Sequence, residues 1–240
     1  MGIFRNRPAV GLTDNTMGGP PTRSSWYGDA YTVPLGAGSN WGFADEGSYF
    51  FGANATLATG IAGHAAPVVA DTDTKPLIHI YNGGARHIVL DFVQLEVTVA
   101  GTAGTLHYTT IYVDNQGASS RSSGGTAITM NNTRSDNPTS SAATVYVGAV
   151  VAAPTTSRKV GQAIVREVIP VVQDTVLMIF GSADGGLKSG LATSGTGTNH
   201  LTQWFPPIVV APGGNVGIAQ IRPSQTAAAS YQFQLGYWER

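Results

Sequence analysis

From residue 76 onward, apolar residues come in short runs that alternate or stop at glycine, proline or asparagine, and none repeats at the spacing of an amphipathic helix. This punctuation points to strands. The runs are "PLIHIYN" (76–82), "HIVLDFVQLEVTVAG" (87–101), "TLHYTTIYVDNQG" (105–117), "ATVYVGAVV" (143–151), "QAIVREVIP" (162–170), "TVLMIFG" (175–181), "PPIVVAPGGNVGIAQI" (206–221) and "SYQFQLGYWER" (230–240). About nine short strands with no helix is the pattern of a β-sandwich or barrel. The second and third runs are expected to form a hairpin across "AGTAG". Residues 115–142 and 182–199, rich in Ser, Gly, Thr and Asn, are expected as surface excursions.

The run at 230–240 shows the period most clearly. Tyr231, Phe233, Leu235 and Tyr237 share one face, which asks for a core, while Gln232, Gln234, Gly236 and Trp238 share the other. Trp238 places a large ring where an isolated sandwich faces water, so a neighbouring chain is expected to cover it. In the run at 88–99, Val89, Val93, Leu95, Val97 and Val99 are expected on one face, and Ile88, Leu90 and Phe92 open the other. A two-sheet sandwich covers one face per sheet; the second apolar face therefore calls for an N-terminal arm or another subunit.

Residues 1–75 read differently and are taken as an extended arm, with the sandwich domain over 76–240. Glycine and proline recur too often for long regular elements, yet large rings stand among them, including Trp26, Tyr27, Tyr31, Trp41, Phe43, Tyr49, Phe50 and Phe51. Disordered segments are poor in aromatics. Together with Trp238, these rings are the candidate contact residues of an interface.

Charged residues make up 11% of the chain and the net charge is -1, against roughly 25% charged residues in typical soluble proteins. This balance gives nucleic acid or an anionic membrane no electrostatic attraction, so neither is expected as a partner. With no cysteine there is no disulfide, thiolate ligand or thiol nucleophile. The first residues lack the apolar run of a signal peptide, and no stretch has the length of a membrane helix.

Catalytic patterns are missing too. There is no P-loop, dinucleotide fingerprint or nucleophile elbow, and the five histidines show no metal-binding spacing. His79 and His87 are expected to be structural. Asp71, Asp73 and Asp184 could offer oxygen ligands to calcium, although solvated turns account for them better. Asp91 interrupts an apolar face and needs a partner; Arg86 or His87 is the local candidate, in a structural or interface contact rather than as a catalytic acid. The sequons at Asn54 and Asn131 are what chance gives in a chain rich in Asn and Thr. No enzyme activity and no cofactor are expected.

The stretch "PPIVVAPGGNVGIAQIRPSQTAAASYQFQLGYWER" resembles the C-terminal strands of jelly-roll structural proteins in tailed-bacteriophage virions, which often end in an aromatic strand closing with a Trp-Glu-Arg-like tripeptide. The similarity covers residues 76–240. It implies an all-β jelly-roll sandwich carrying the Gly- and aromatic-rich arm, made in the host cytoplasm and incorporated into the virion. It further implies a homotrimer docked on the major capsid protein or other virion proteins as a decoration or cement protein. The alternative is a tail, fibre or receptor-binding module whose loops contact host glycans.

Overall fold

The structure, a computed structural model, describes residues 46–57, 59–65, 72–101, 107–166, 171–181, 199–204, 207–221 and 226–240. Trp26, Tyr27, Tyr31, Trp41 and Phe43 lie outside these residues, as do Asp71 and Asp184. Among the described residues there are fourteen strands and no helix. They are β1 (Tyr49–Ala53), β2 (Ile61–Ala62), β3 (Ile78–Tyr81), β4 (Ile88–Val99), β5 (His107–Asp114), β6 (Arg121–Ile128) and β7 (Asn131–Asn132), followed by β8 (Thr144–Ala152), β9 (Arg158–Arg166), β10 (Thr175–Phe180), β11 (Asn199–Trp204), β12 (Val209–Val210), β13 (Asn215–Ile221) and β14 (Ser230–Glu239).

They form two sheets. Sheet I runs β11-β10-β4-β14-β1-β7, with β12 beside β4 and β2 beside β14; sheet II runs β6-β8-β3-β13-β5-β9. The pairings are antiparallel except β10 with β11. The chain passes from sheet to sheet as it goes from β3 to β4 to β5 and from β12 to β13 to β14, and the sheets pack face to face as a jelly-roll sandwich. Ile78, Ile80, Ile111, Val147 and Ile218 of sheet II meet Leu90, Leu95, Met178, Phe180 and Phe233 of sheet I in one core.

On β14 the period-two reading holds: Tyr231, Phe233, Leu235 and Tyr237 all belong to the core. On β4 it fails in an instructive way. β14 pairs Gly236 with Phe92 but Tyr237 with Leu90, and Tyr231 with Val97 but Ser230 with Val99, so Asp91 and Thr98 are bulged out of the ladder. Each bulge flips the side-chain alternation. Ile88 and Leu90 therefore point inward together with Val93, Leu95 and Val97, whereas Val89 lies outside the core cluster and Val99 is exposed. The first half of the strand is apolar on both faces, as expected, but the two bulges change which residues lie on which: Val89 and Phe92 face out, and Ile88, Leu90 and Val93 face in.

The expected hairpin between 88–99 and 107–114 is not formed: β4 lies between β10 and β14, and β5 between β13 and β9. Both strands carry core residues, Leu95 on β4 and Ile111 on β5, and packing face to face buries both sets, which edge pairing alone cannot do. The excursion at 115–142 contains a strand, because Arg121–Ile128 pairs with β8. Its positive-φ Gly124 and Gly125, set among register shifts, twist this edge and blunt it against pairing with other chains. The boundary drawn at residue 75 places β1 and β2 with the arm, yet both strands are integral to sheet I. Tyr49 pairs with Trp238 and Ala53 with Gln234, while Ile61 pairs with Tyr231.

Candidate functional site

The outer surface of sheet I carries an apolar and aromatic belt. Phe50 and Tyr237 face the core with ring centroids 6.1 Å apart, so alternation turns Tyr49, Phe51 and Trp238 outward. Register then builds two rows across the sheet. Tyr49, Trp238, Val89 and Val209 stand side by side on β1, β14, β4 and β12. Phe51, Gly236, Phe92 and Ile179 follow on β1, β14, β4 and β10, with the Phe51 and Phe92 rings 6.3 Å apart. Further along, the face turns polar at Gln94, Glu96, Gln232 and Gln234.

Of the predicted contact residues, Phe50 is buried in the core and Tyr49 and Phe51 are half-buried on this outer face. Trp238 is only 9% exposed within the single chain. The expectation that a neighbour must shelter this ring is corrected: its own chain does so. Val209, which sequence reasoning passed over, is 50% exposed at the end of the first row.

Asp91 sits on the belt's border through its bulge. Its carboxylate accepts a 2.6 Å hydrogen bond from the Tyr49 hydroxyl rather than the expected contact with Arg86 or His87. Burial first, and then the Asp91 charge and hydrogen bond, push the Tyr49 phenol well above its ordinary range, so it remains a donor at any physiological pH. Gly236 makes room for this pair, since a Cβ there would lie 2.3 Å from Tyr49 Oη and 2.6 Å from Phe92 Cε1.

A second, polar feature lies on the opposite side of the molecule, on the outer face of sheet II. Because Ile78 and Ile80 point into the core, His79 points out; its strand neighbours are Tyr146 and Gly217, and beyond Gly217 stands Tyr112. One register step away, Asn215 pairs with Asp114. Gly217 leaves a gap between these side chains, walled by Asp73, Pro76, Ser120, Ala152 and Pro154. The cleft measures about 240 Å³ including its solvent-open part, with room for about one water-sized body.

Hydrogen bonds fix most of its lining. His79 Nε2 and Ser120 Oγ are 2.9 Å apart. The Ser120 N–H donates to Asn215 Oδ1, whose amide Nδ2 donates to the Ala118 carbonyl. Asp114 Oδ1 accepts from both the Thr156 N–H and its hydroxyl. Two polar atoms are left over: His79 Nδ1 and Asp114 Oδ2 are buried and receive no bond from a described protein group. Burial above all, helped by the Arg121 charge and opposed by Asp114, lowers the His79 pKa to about 4 and keeps the ring neutral. Among the described residues no three His, Asp or Glu side chains converge as a metal-binding cluster.

The other flagged positions take simpler roles. His79 and His87 stand in different sheets, on β3 and beside β4. Asn54 spends its whole amide on the backbone, donating to the Thr59 and Tyr231 carbonyls and accepting from the Phe233 N–H. Comparison of the chain with protein-family models, with curated proteins and with solved structures returned no match.

Proposed function

We propose that this chain is a structural protein of a tailed-phage virion, a shell decoration or cement protein that works by contact rather than catalysis. The observation that carries the reading is the belt on sheet I. Half-buried Phe51 and Phe92, with Val209 half exposed, continue as one apolar surface across neighbouring strands. Such a face, bordered by Gln94, Gln232 and Gln234 with Glu96 and by an Asp91 carboxylate tied to Tyr49, suits a lasting protein contact, where aromatic residues are enriched. On this reading the belt joins copies of the chain, as a trimer, and the rings of residues 26–43 add grip on the capsid protein.

A charge set into the belt tests this without touching the core. Phe51→Asp combined with Val209→Asp should leave the circular-dichroism spectrum unchanged, convert a trimer to a monomer in light scattering, and abolish co-sedimentation with empty shells. Truncation before Glu46, which spares β1, should keep the trimer and lose the shell. A wild-type chain that stays monomeric and fails to sediment with shells would refute the proposal. Shell binding indifferent to both changes would equally do so.

A further inference from the structure

We propose that Trp41 and Phe43, in the N-terminal segment outside the described residues, seat on the centre of the belt's first row, so that the chain covers Trp238 and Val89 with its own preceding residues. The inference starts from a mismatch between direction and exposure. Trp238 and Val89 point away from the core, yet they are only 9% and 8% exposed in the single chain, while Val209, next in the same row, is 50% exposed. The rings beside them are committed elsewhere. Tyr49 leans across Gly236 to reach the Asp91 carboxylate, and Phe92 crowds the same glycine and meets Phe51. An indole laid over Val89 would shelter the valine but would itself face solvent. Both are buried, so a further group lies over them, and it stops short of Val209.

The approach of the chain selects the group. The row begins at Tyr49, the first residue of β1, so the segment before it arrives from the side opposite to Val209. Just upstream, Glu46 and Gly47 form a turn, with Gly47 at φ 70° and its carbonyl held by Asn132 Nδ2 at 2.6 Å. The turn bends the preceding residues back over the sheet, and since Phe50 and Tyr237 fill the inner side, the outer face receives them. Phe43 stands four residues before Gly47, a reach of roughly 13 Å at about 3.3 Å per residue, whereas Val89 lies two strands from Tyr49, roughly 10 Å away. The stretch "NWGFADEG" (40–47) supplies two large rings at that distance. The other long segment outside the described residues, 182–198, has no aromatic residue and leaves β10 at Gly181, against Pro207 on the Val209 side. This narrows the virion reading without resting on it: Trp41 and Phe43 serve the chain's own fold, while Phe51, Phe92 and Val209 stay open to other copies.

The chain has no cysteine, so one introduced thiol reports the cover. In the full chain carrying Val89→Cys, labelling by a small maleimide should be slow, and adding Trp41→Ser with Phe43→Ser should speed it by at least about tenfold at an unchanged circular-dichroism spectrum. Val99→Cys, at a position 54% exposed on the far end of β4, should label fast in both backgrounds. Diluting the protein about a hundredfold should leave the protection of Val89→Cys unchanged, because the cover belongs to the same chain. Labelling of Val89→Cys as fast as that of Val99→Cys overturns the proposal, and so do equal rates with and without the two serines. Protection lost on dilution overturns it as well, by assigning the cover to a second copy. Protection lost in Leu187→Ser with Leu191→Ser, but kept in Trp41→Ser with Phe43→Ser, does the same by assigning it to 182–198.

Discussion

Replacing Gly236 by alanine should unfold the protein far more readily than a single added methyl suggests. The new Cβ would lie 2.3 Å from Tyr49 Oη and 2.6 Å from Phe92 Cε1, so both rings must move by roughly 1 Å to restore ordinary contact. Tyr49 Oη stands 2.6 Å from Asp91 Oδ2, and a shift of that size breaks the bond. Losing a hydrogen bond to a carboxylate costs about 1.5–3 kcal/mol and overpacking another 1–3 kcal/mol, from which alanine recovers about 0.5–1 kcal/mol of glycine's backbone entropy. The expected loss is therefore about 2–5 kcal/mol, a large part of a typical domain's stability. Urea unfolding followed by tryptophan fluorescence measures it. A double-mutant cycle isolates the cause: Tyr49→Phe alone should cost about 1.5–3 kcal/mol, but much less in the Gly236→Ala background, where the bond is already lost. Additive costs would refute the reasoning, as would a Gly236→Ala chain within about 0.5 kcal/mol of wild type.

Three further outcomes follow from the same geometry. Asn54→Ala removes three hydrogen bonds, two of them to β14 and one to the Thr59 carbonyl, and should cost about 1.5–4 kcal/mol in the same urea assay, whereas changing only its sequon partner, Thr56→Ala, should be nearly neutral. Gly161→Ala would put a Cβ 2.5 Å from Trp204 Cζ3, so the indole that spans from β11 to β9 must move; about 1–3 kcal/mol of stability and a shift in tryptophan emission are expected. For His64, burial first and the Lys75 charge after it hold the imidazole below its ordinary pKa, against its hydrogen bond to the Pro76 carbonyl. The unfolded chain thus takes up a proton below about pH 6.5 that the native chain refuses, and stability falls as the pH drops through that range. In His64→Gln this part of the acid sensitivity should vanish, which urea midpoints measured on either side of that pH would show.

Residues whose environment is set by their own strand could be read directly. Tyr231, Phe233, Leu235 and Tyr237 reached the core because β14 keeps its alternation from end to end. β4 could not be read that way, since the bulges at Asp91 and Thr98 exist only against the register of a partner more than a hundred residues distant. β6 escaped notice for the opposite reason: "RSSGGTAI" has no apolar stripe and owes its strand to hydrogen bonding with β8. The aromatic belt was half legible. Tyr49, Phe51 and Trp238 were singled out as contact residues, whereas Val209 and Ile179 join them only through cross-strand register. The cleft was hardly legible at all, because His79, the Asp114–Ser120 stretch and Gly217 come from three segments far apart in the chain. Its one trace was a histidine set between Ile78 and Ile80, which alternation alone turns away from the core.

In sheet I the middle of the ladder is made last. β14, which pairs with β4 on one side and with β1 and β2 on the other, follows those strands by well over a hundred residues of chain. Until it is synthesised, β1 and β4 have bare edges and half of the core has no lid, a condition that invites association between nascent chains and slows folding. The strand order thus leaves the central pairing of sheet I to the last strand, so a chain that ends before residue 230 lacks the partner of both β1 and β4.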